Sequence, residues 1–206
     1  MNEYIFLVPI TIAFIVGVMS PGPSFFLIAQ NAMSNTREKA LYMAFGLGTG
    51  AAVLALIACT GLYILLTKMP TMFLIFKVLG GAYLCFIAYK ILRSANKKSK
   101  NSSLHVKKQT DNFKSFLLGL FTQLSNPKTA IVIGGIIAAF LPQNTPNYTY
   151  IYICIISFIL DFSWYSIVAI TLSTNKAQNT YLRYRSYINY TSSILIASIG
   201  IKLAFS

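Results

Sequence analysis

The sequence predicts an all-α integral membrane protein of six transmembrane helices, arranged as two inverted three-helix repeats in which helices 1 and 4 are broken. Three observations carry this expectation. Of the 206 residues, 56% are hydrophobic and only 10% are charged, too apolar a balance for a domain that must keep a hydrated surface. Apolar runs of the roughly 20 residues that an α-helix needs to cross about 30 Å of hydrocarbon recur along the chain. Each half places proline inside its first such run, where backbone hydrogen bonds are hardest to replace.

Helix 1 covers about residues 4 to 30. Its start, MNEYIFLVPITIAFIVGV, carries Glu3 instead of a basic segment and runs past the length of a signal-peptide core without a small-residue cleavage site, so it is expected to stay as the first span. Helix 2, about 40 to 66, follows NAMSNTREKA and contains AFGLGTGAA. There Gly46 and Gly50 lie four apart on one face and let another helix approach closely, a packing role. Helix 3, about 71 to 93, follows a tight connection at Lys68, Met69 and Pro70. A polar segment, residues 94–114, separates it from helix 4, about 115 to 141. Helix 5, about 148 to 173, follows PQNTPNY, and helix 6, about 187 to 205, follows STNKAQNTYLRYRS. The whole chain, 1–206, then forms one membrane domain with repeats 1–93 and 115–206. Three crossings per half make the second half enter from the opposite face, the arrangement of an inverted repeat.

Charge orients these spans. Seventeen Lys and Arg against four Asp and Glu give +13, a balance that raises the question of nucleic acid. Position points elsewhere: seven of the basic residues fall between Arg93 and Lys114, in RSANKKSKNSSLHVKKQTDNFK, between two apolar spans. Such a loop collects on the cytoplasmic side and favours anionic lipid headgroups as its partner, with no nucleic acid. With both termini outside, thirteen of the seventeen basic residues are cytoplasmic, Lys68, Lys77 and Lys202 are outside, and Lys128 lies within a span.

The proline breaks carry the chemistry. Proline lacks a backbone N–H and its ring collides with the carbonyl four residues earlier, so Pro21, Pro23 and Pro127 are expected to release the carbonyls of Gly17, Met19 and Gln123. Ser20 and Asn126, each directly before a proline, suit the N-cap of a restarted helix. A restarted half-helix turns unpaired N–H groups and partial positive charge toward the break, and the ended half offers carbonyls and partial negative charge. A zwitterionic amino acid matches both poles, its carboxylate on the half-helix N-termini and its ammonium on carbonyl oxygens. Lys128, one residue past the second break, adds a cation near the carboxylate. Kinking alone is the simpler role for one isolated proline; two breaks, each preceded by a polar residue and each in the first helix of a half, favour a site spanning Ser20, Pro21, Gly22, Pro23, Gln123, Asn126, Pro127 and Lys128.

Asp161, in ISFILDFSWYSIV, is the acid set well inside a span. An intramembrane carboxylate is costly to bury, which marks it for carrying a proton or meeting a substrate ammonium rather than for packing alone. Gln30 and Asn31 face a cytoplasmic vestibule or merely end the first span, and Trp164 and Tyr165 fit core, interface or substrate equally. Cys59, Cys85 and Cys154 lie in apolar runs without CxxC spacing, and the single histidine, His105, is in the basic loop. No metal site, cofactor site or nucleophile and base pair is therefore expected within the membrane, and catalysis is not. No GxxxxGK[ST] sequence appears either, so ATP is not the expected energy source.

The stretches SPGPSFFLIAQNAMSNTREKALYMAFGLGTGAAV, KVLGGAYLCFIAYKILRSA and SNPKTAIVIGGIIAAFLPQ, and more loosely SIGIKLA, together resemble the lysine exporter (LysE) superfamily, homoserine/threonine exporter (RhtB) type. They cover about two thirds of the chain in the family's order. The matching signature positions are Pro21, Gly22, Pro23, Gly46, Gly50, Gly80, Tyr83, Leu84, Asn126, Pro127, Lys128, Leu141 and Pro142. Thr129 stands where the family commonly has alanine, and the fifth span matches loosely, which bears on substrate type. The resemblance implies a bacterial inner-membrane exporter of amino acids or related metabolites, coupled to the proton gradient and oligomeric, with a homodimer as one such form.

Combined with the residues, this predicts a secondary transporter of small zwitterionic metabolites that binds them between the two breaks and is reset by proton entry through Asp161. Two alternatives stand beside it. A divalent-cation transporter of the wider superfamily would want several intramembrane ligands where the chain offers one carboxylate. A non-transporting membrane assembly protein would use the prolines as kinks only.

Overall fold

The computed structural model describes residues 5–20, 22–68, 70–95, 111–142, 145–146, 148–172 and 175–205. Among these the chain is all helical, with eight helices: α1 (Leu7–Met19), α2 (Pro23–Ser34), α3 (Arg37–Lys68), α4 (Pro70–Ala95), α5 (Asn112–Leu124), α6 (Pro127–Phe140), α7 (Tyr148–Thr171) and α8 (Asn175–Phe205). Expected helices 1 and 4 are each two helices, α1 with α2 and α5 with α6, divided where the prolines stand. Pro21 and most of the basic loop, including His105, lie outside the described residues.

Local chemistry explains most of these ends. Pro23, Pro70 and Pro127 each open a helix at the position where a missing N–H costs nothing. Asp111 caps α5, its carboxylate accepting from Phe113 N at 3.1 Å, and Asn126 caps α6, its side-chain oxygen accepting from Lys128 N at 3.1 Å. One boundary departs from expectation. STNKAQNTYLRYRS, read as a connection for its polarity, is helical from Asn175, so α8 begins about a dozen residues before the apolar run does. Backbone hydrogen bonding continues through a polar sequence as readily as through an apolar one, and hydropathy marks only the part suited to lipid.

α3 over Arg37–Leu62 and α7 over Tyr148–Thr171 are each long and apolar enough to cross a membrane, with mean hydropathy 1.9 and 2.0. α1 and α2 pass the same test together, as a span bent by 58°. Large apolar side chains such as Ile12, Ile57, Ile151 and Ile167 point outward, as a protein solvated by hydrocarbon requires.

α3 is the central packing element. It lies against α5, α7, α6, α2 and α4, while α4 packs along α8 and α6 touches α1, α4 and α8. Glycines set the closest approaches, as the sequence predicted for Gly46 and Gly50. A Cβ at Gly46 would stand 2.1 Å from Phe116 O on α5, and one at Gly119 of α5 would stand 2.2 Å from Met43 O on α3. Gly50 is pressed against the Gln123 side chain in the same way, with 2.7 Å to its Cβ. The backbones of α3 and α5 therefore nearly touch, which fixes the height of Gln123 at the top of α5. Gly81 and Gly200 make a similar crossing between α4 and α8.

Two apolar clusters lie on either side of the breaks. One joins α1, α3, α4, α6, α7 and α8 around Ile10, Phe14, Ala51, Leu84, Ile136 and Ile153. The other joins α2, α3 and α7 around Phe25, Ile28, Met43, Leu47, Tyr165 and Leu172. Polar side chains gather between them.

Candidate functional site

The break between α1 and α2 leaves Ser20 as the C-cap of α1, its N–H donating to Val16 O, and Gly22 as the N-cap of α2 with extended backbone. Ser20 was expected to cap the restarted helix. It does not: Ser20 ends α1, the N-cap of α2 falls at Gly22, and Gly22 contributes no side-chain cap. The absence of a side chain has another consequence: a Cβ there would meet Lys128 Cδ at 3.0 Å and Nζ at 3.3 Å, so Gly22 leaves the space that the Lys128 side chain crosses.

The break between α5 and α6 is tighter. Ser125 and Asn126 turn the chain: Ser125 N–H donates to Phe121 O at 2.9 Å, and Asn126 N–H donates to Gln123 O at 3.1 Å. The carbonyl expected to be released by Pro127 is therefore recaptured by the turn. Gln123 contributes its side chain instead.

That side chain is the middle of a hydrogen-bonded line across four helices. Asn126 Nδ2 donates to Ser24 Oγ at 2.9 Å, Ser24 Oγ donates to Gln123 Oε1 at 2.6 Å, and Gln123 Nε2 donates to Asp161 Oδ1 at 2.6 Å. Every donor points toward the Asp161 carboxylate, so each bond polarises the next in one sense. All four side chains are buried, Gln123 with no exposed surface. On the other side of the break Lys128 Nζ donates to Ser20 O, tying the start of α6 to the end of α1. Lys128 and the helix N-terminus it follows thus close on the carbonyl pole of α1.

Lys128 and Asp161 line one cavity of about 30 Å³, together with Gly22, Asn126, Thr129, Ser157 and Tyr165, and with Phe14, Gly17, Val18, Val132 and Ile133 as apolar wall. No ion pair joins the ammonium and the carboxylate; each holds a neutral partner. Two buried hydroxyls beside them, Ser157 Oγ and Ser20 Oγ, have no hydrogen-bond partner among the described residues. A desolvated hydroxyl without a partner is costly, so these are groups that a polar guest satisfies at a gain. The volume suits about one or two waters and not an amino acid, so the helices around it must separate to admit one.

The sequence-predicted residues divide into three groups. Ser20, Gly22, Gln123, Asn126, Lys128 and Asp161 come together. Pro23 and Pro127 are exposed at the first positions of α2 and α6 and shape the backbone without facing the cavity. Pro21 lies outside the described residues. Sequence reasoning missed Ser24 and Ser157. Ser24 was signalled by its place in the first turn of the restarted helix, seven residues before Asn31 on the same face, and Ser157 by its spacing of four from Asp161. Of the aromatic pair, Tyr165 lines the cavity and Trp164 packs on the second apolar cluster. Among the described residues no group of three or more His, Cys, Asp or Glu is placed to hold a metal ion.

A family model described as LysE type translocator matches residues 15–206. Threonine efflux protein of Salmonella typhi is 35% identical over 194 residues, which are 93% of this chain and 94% of that protein. Threonine efflux protein of Escherichia coli strain K12 is 33% identical over 193 residues, with the same shares covered. An uncharacterized membrane protein of Haemophilus influenzae is 27% identical over 192 residues. No solved structure matches. The match spans both breaks, the cavity between them and all eight helices save the beginning of α1, and the protein belongs to the LysE type translocators.

Proposed function

We propose that the chain exports threonine or a neutral amino acid of similar size, binding it between Lys128 and Asp161 and returning with a proton. Family membership and the threonine efflux relatives support an amino-acid exporter. The observation that carries the site is one cavity lined by an ammonium and a carboxylate that do not pair with each other. A zwitterion supplies the two missing counter-charges at once: its carboxylate takes Lys128 together with the first turn of α6, and its ammonium takes Asp161. Ser157 and Ser20 then offer partners to a side-chain hydroxyl. Neither charge of the substrate needs to enter the low-dielectric interior unpaired.

Proton coupling follows from the same pairing. With the substrate gone, Asp161 is a buried carboxylate with one amide donor, and a proton neutralises it for the return step more cheaply than bare charge. Six spans in two inverted repeats are the frame for this. Part of the packing supports it: α1 on α6 matches α5 on α2, α3 on α5 matches α7 on α1, and α3 on α6 matches α7 on α2, while α4 on α6, α6 on α8, α1 on α8, α2 on α3 and α3 on α4 have no such counterpart among the described residues. With both termini outside, the broken spans meet near the middle of the membrane, and the basic loop faces anionic headgroups in the cytoplasm.

Proteoliposomes loaded with labelled threonine test the reading. Wild-type protein gives efflux that rises when the opposite face is made acidic; Asp161→Asn abolishes that response to the gradient. Efflux that ignores the gradient in wild type removes the coupling, and wild-type efflux from Asp161→Asn removes Asp161 from the mechanism.

A further inference from the structure

Asn31 has no exposed surface, and among the described residues neither its side-chain oxygen nor its side-chain nitrogen has a hydrogen-bond partner. A whole amide desolvated without compensation is among the more costly burials a fold can hold, and native structures rarely keep one without a use. Its place suggests the use. Asn31 and Ser24 are seven residues apart on α2, so they share a face, about 10 Å from each other along the axis. Ile28 lies between them, itself fully buried.

The surroundings form a plug. Phe25, Ile28, Met43, Leu47, Tyr165, Val168 and Leu172 pack together between α2, α3 and α7, and Tyr165 belongs both to this cluster and to the cavity lining. The floor of the cavity is therefore the roof of the plug, and Asn31, next to Ala32 of the same cluster, is set within the plug toward the connection from α2 to α3. A second orphan marks the same region: Trp164, packed on the cluster from α7, buries an indole N–H that also lacks a partner among the described residues. α2 is only 12 residues long, starts at a break and has no side-chain N-cap, and Ser24 in its first turn holds it to Gln123 and Asn126.

We propose that α2 is the cytoplasmic gate and that Asn31 is a second polar station on the substrate route, which receives the zwitterion before the plug parts. An amide offers a donor for a carboxylate and an acceptor for an ammonium, so one side chain serves a zwitterion in either orientation. In the closed arrangement seen here both are stranded; when α2 swings about Gly22 they are wetted and then occupied. The inference rests on the export reading above and adds to it the path by which the site fills.

Two variants test it. In a background where Cys59, Cys85 and Cys154 are replaced and threonine efflux persists, Asn31→Cys should react with a membrane-impermeant thiol reagent from the cytoplasmic face, and saturating threonine should slow that reaction at least tenfold. Asn31→Leu, in the otherwise native chain, should raise the melting temperature, because an apolar isostere suits the plug, and lower threonine efflux at least tenfold. Failure of Asn31→Cys to react from either face during turnover overturns the proposal, as does equal reaction with and without threonine. Asn31→Leu efflux within twofold of wild type overturns it too. Absence of threonine efflux from wild type would remove the export reading and this inference with it, whereas wild-type efflux combined with either negative result removes only the role of Asn31.

Discussion

Replacing Ser24 with alanine removes one oxygen and strands two amides. Ser24 Oγ accepts from Asn126 at 2.9 Å and donates to Gln123 at 2.6 Å, and all three side chains are buried. In a soluble core each stranded partner costs about 1–3 kcal/mol. Between membrane helices the measured range is lower, about 0.6 kcal/mol on average and at most about 1.7, because chains that remain in the bilayer when unfolded find other partners. Two lost bonds at the membrane value come to about 1–3 kcal/mol. At roughly 2–4 °C per kcal/mol for a chain of this size, thermal unfolding in detergent should shift down by about 2–12 °C. The functional loss should exceed that, since Gln123 without Ser24 is free to turn its amide and no longer presents Nε2 to Asp161. Ser24→Thr keeps the hydroxyl and should restore most of the efflux. A double-mutant cycle with Asn126→Ala isolates the pair. Coupling near zero, or Ser24→Ala efflux equal to wild type at an unchanged melting temperature, would refute the relay.

Gly46→Ala forces a methyl to within 2.1 Å of the Phe116 carbonyl, so α3 and α5 must part; a loss of about 1–3 kcal/mol in thermal unfolding is expected. Gly61→Ala, on the same helix with nothing within 4 Å, should be neutral or slightly stabilising, and equal effects at the two glycines would contradict the packing described. Lys128→Met removes the cation proposed for the carboxylate, so threonine affinity should fall at least tenfold in an equilibrium binding assay. A threonine analogue that lacks the carboxylate should bind the variant and the wild type alike, and a loss for both ligands would place Lys128 in the fold instead of the site.

The prolines show how far sequence reasoning reaches. A ring without an N–H breaks a helix wherever it occurs, so both breaks were readable from Pro21, Pro23 and Pro127 alone, and Asn126 was readable as a cap. Where the freed groups go was not. Gln123 O was expected to stay open, and the turn at Ser125 and Asn126 took it back; Ser20 was expected to cap, and the N-cap of α2 falls at Gly22. Each outcome depends on backbone angles over a few residues, which propensity does not determine. Asp161 was conspicuous as an acid in an apolar run. Ser24 was not, because a serine in a membrane helix commonly bonds to its own backbone and signals nothing about its neighbours. The beginning of α8 was missed for another reason: hydropathy detects what suits lipid, and helical hydrogen bonding has no such requirement.

By itself the sequence determined the class, the approximate helices, the breaks and the family resemblance, because each follows from composition or from residues close together in the chain. Tertiary structure alone decided that Ser24, Gln123, Asn126 and Asp161 form one line, that Lys128 closes on Ser20, and that an ammonium and a carboxylate share a cavity without pairing. These residues are as much as 137 positions apart, from Ser24 to Asp161, and only the approach of α3 to α5 at their glycines, with α7 packed against α3, brings them within hydrogen-bonding distance. Local chemistry marks where a chain breaks, and packing decides what each break faces.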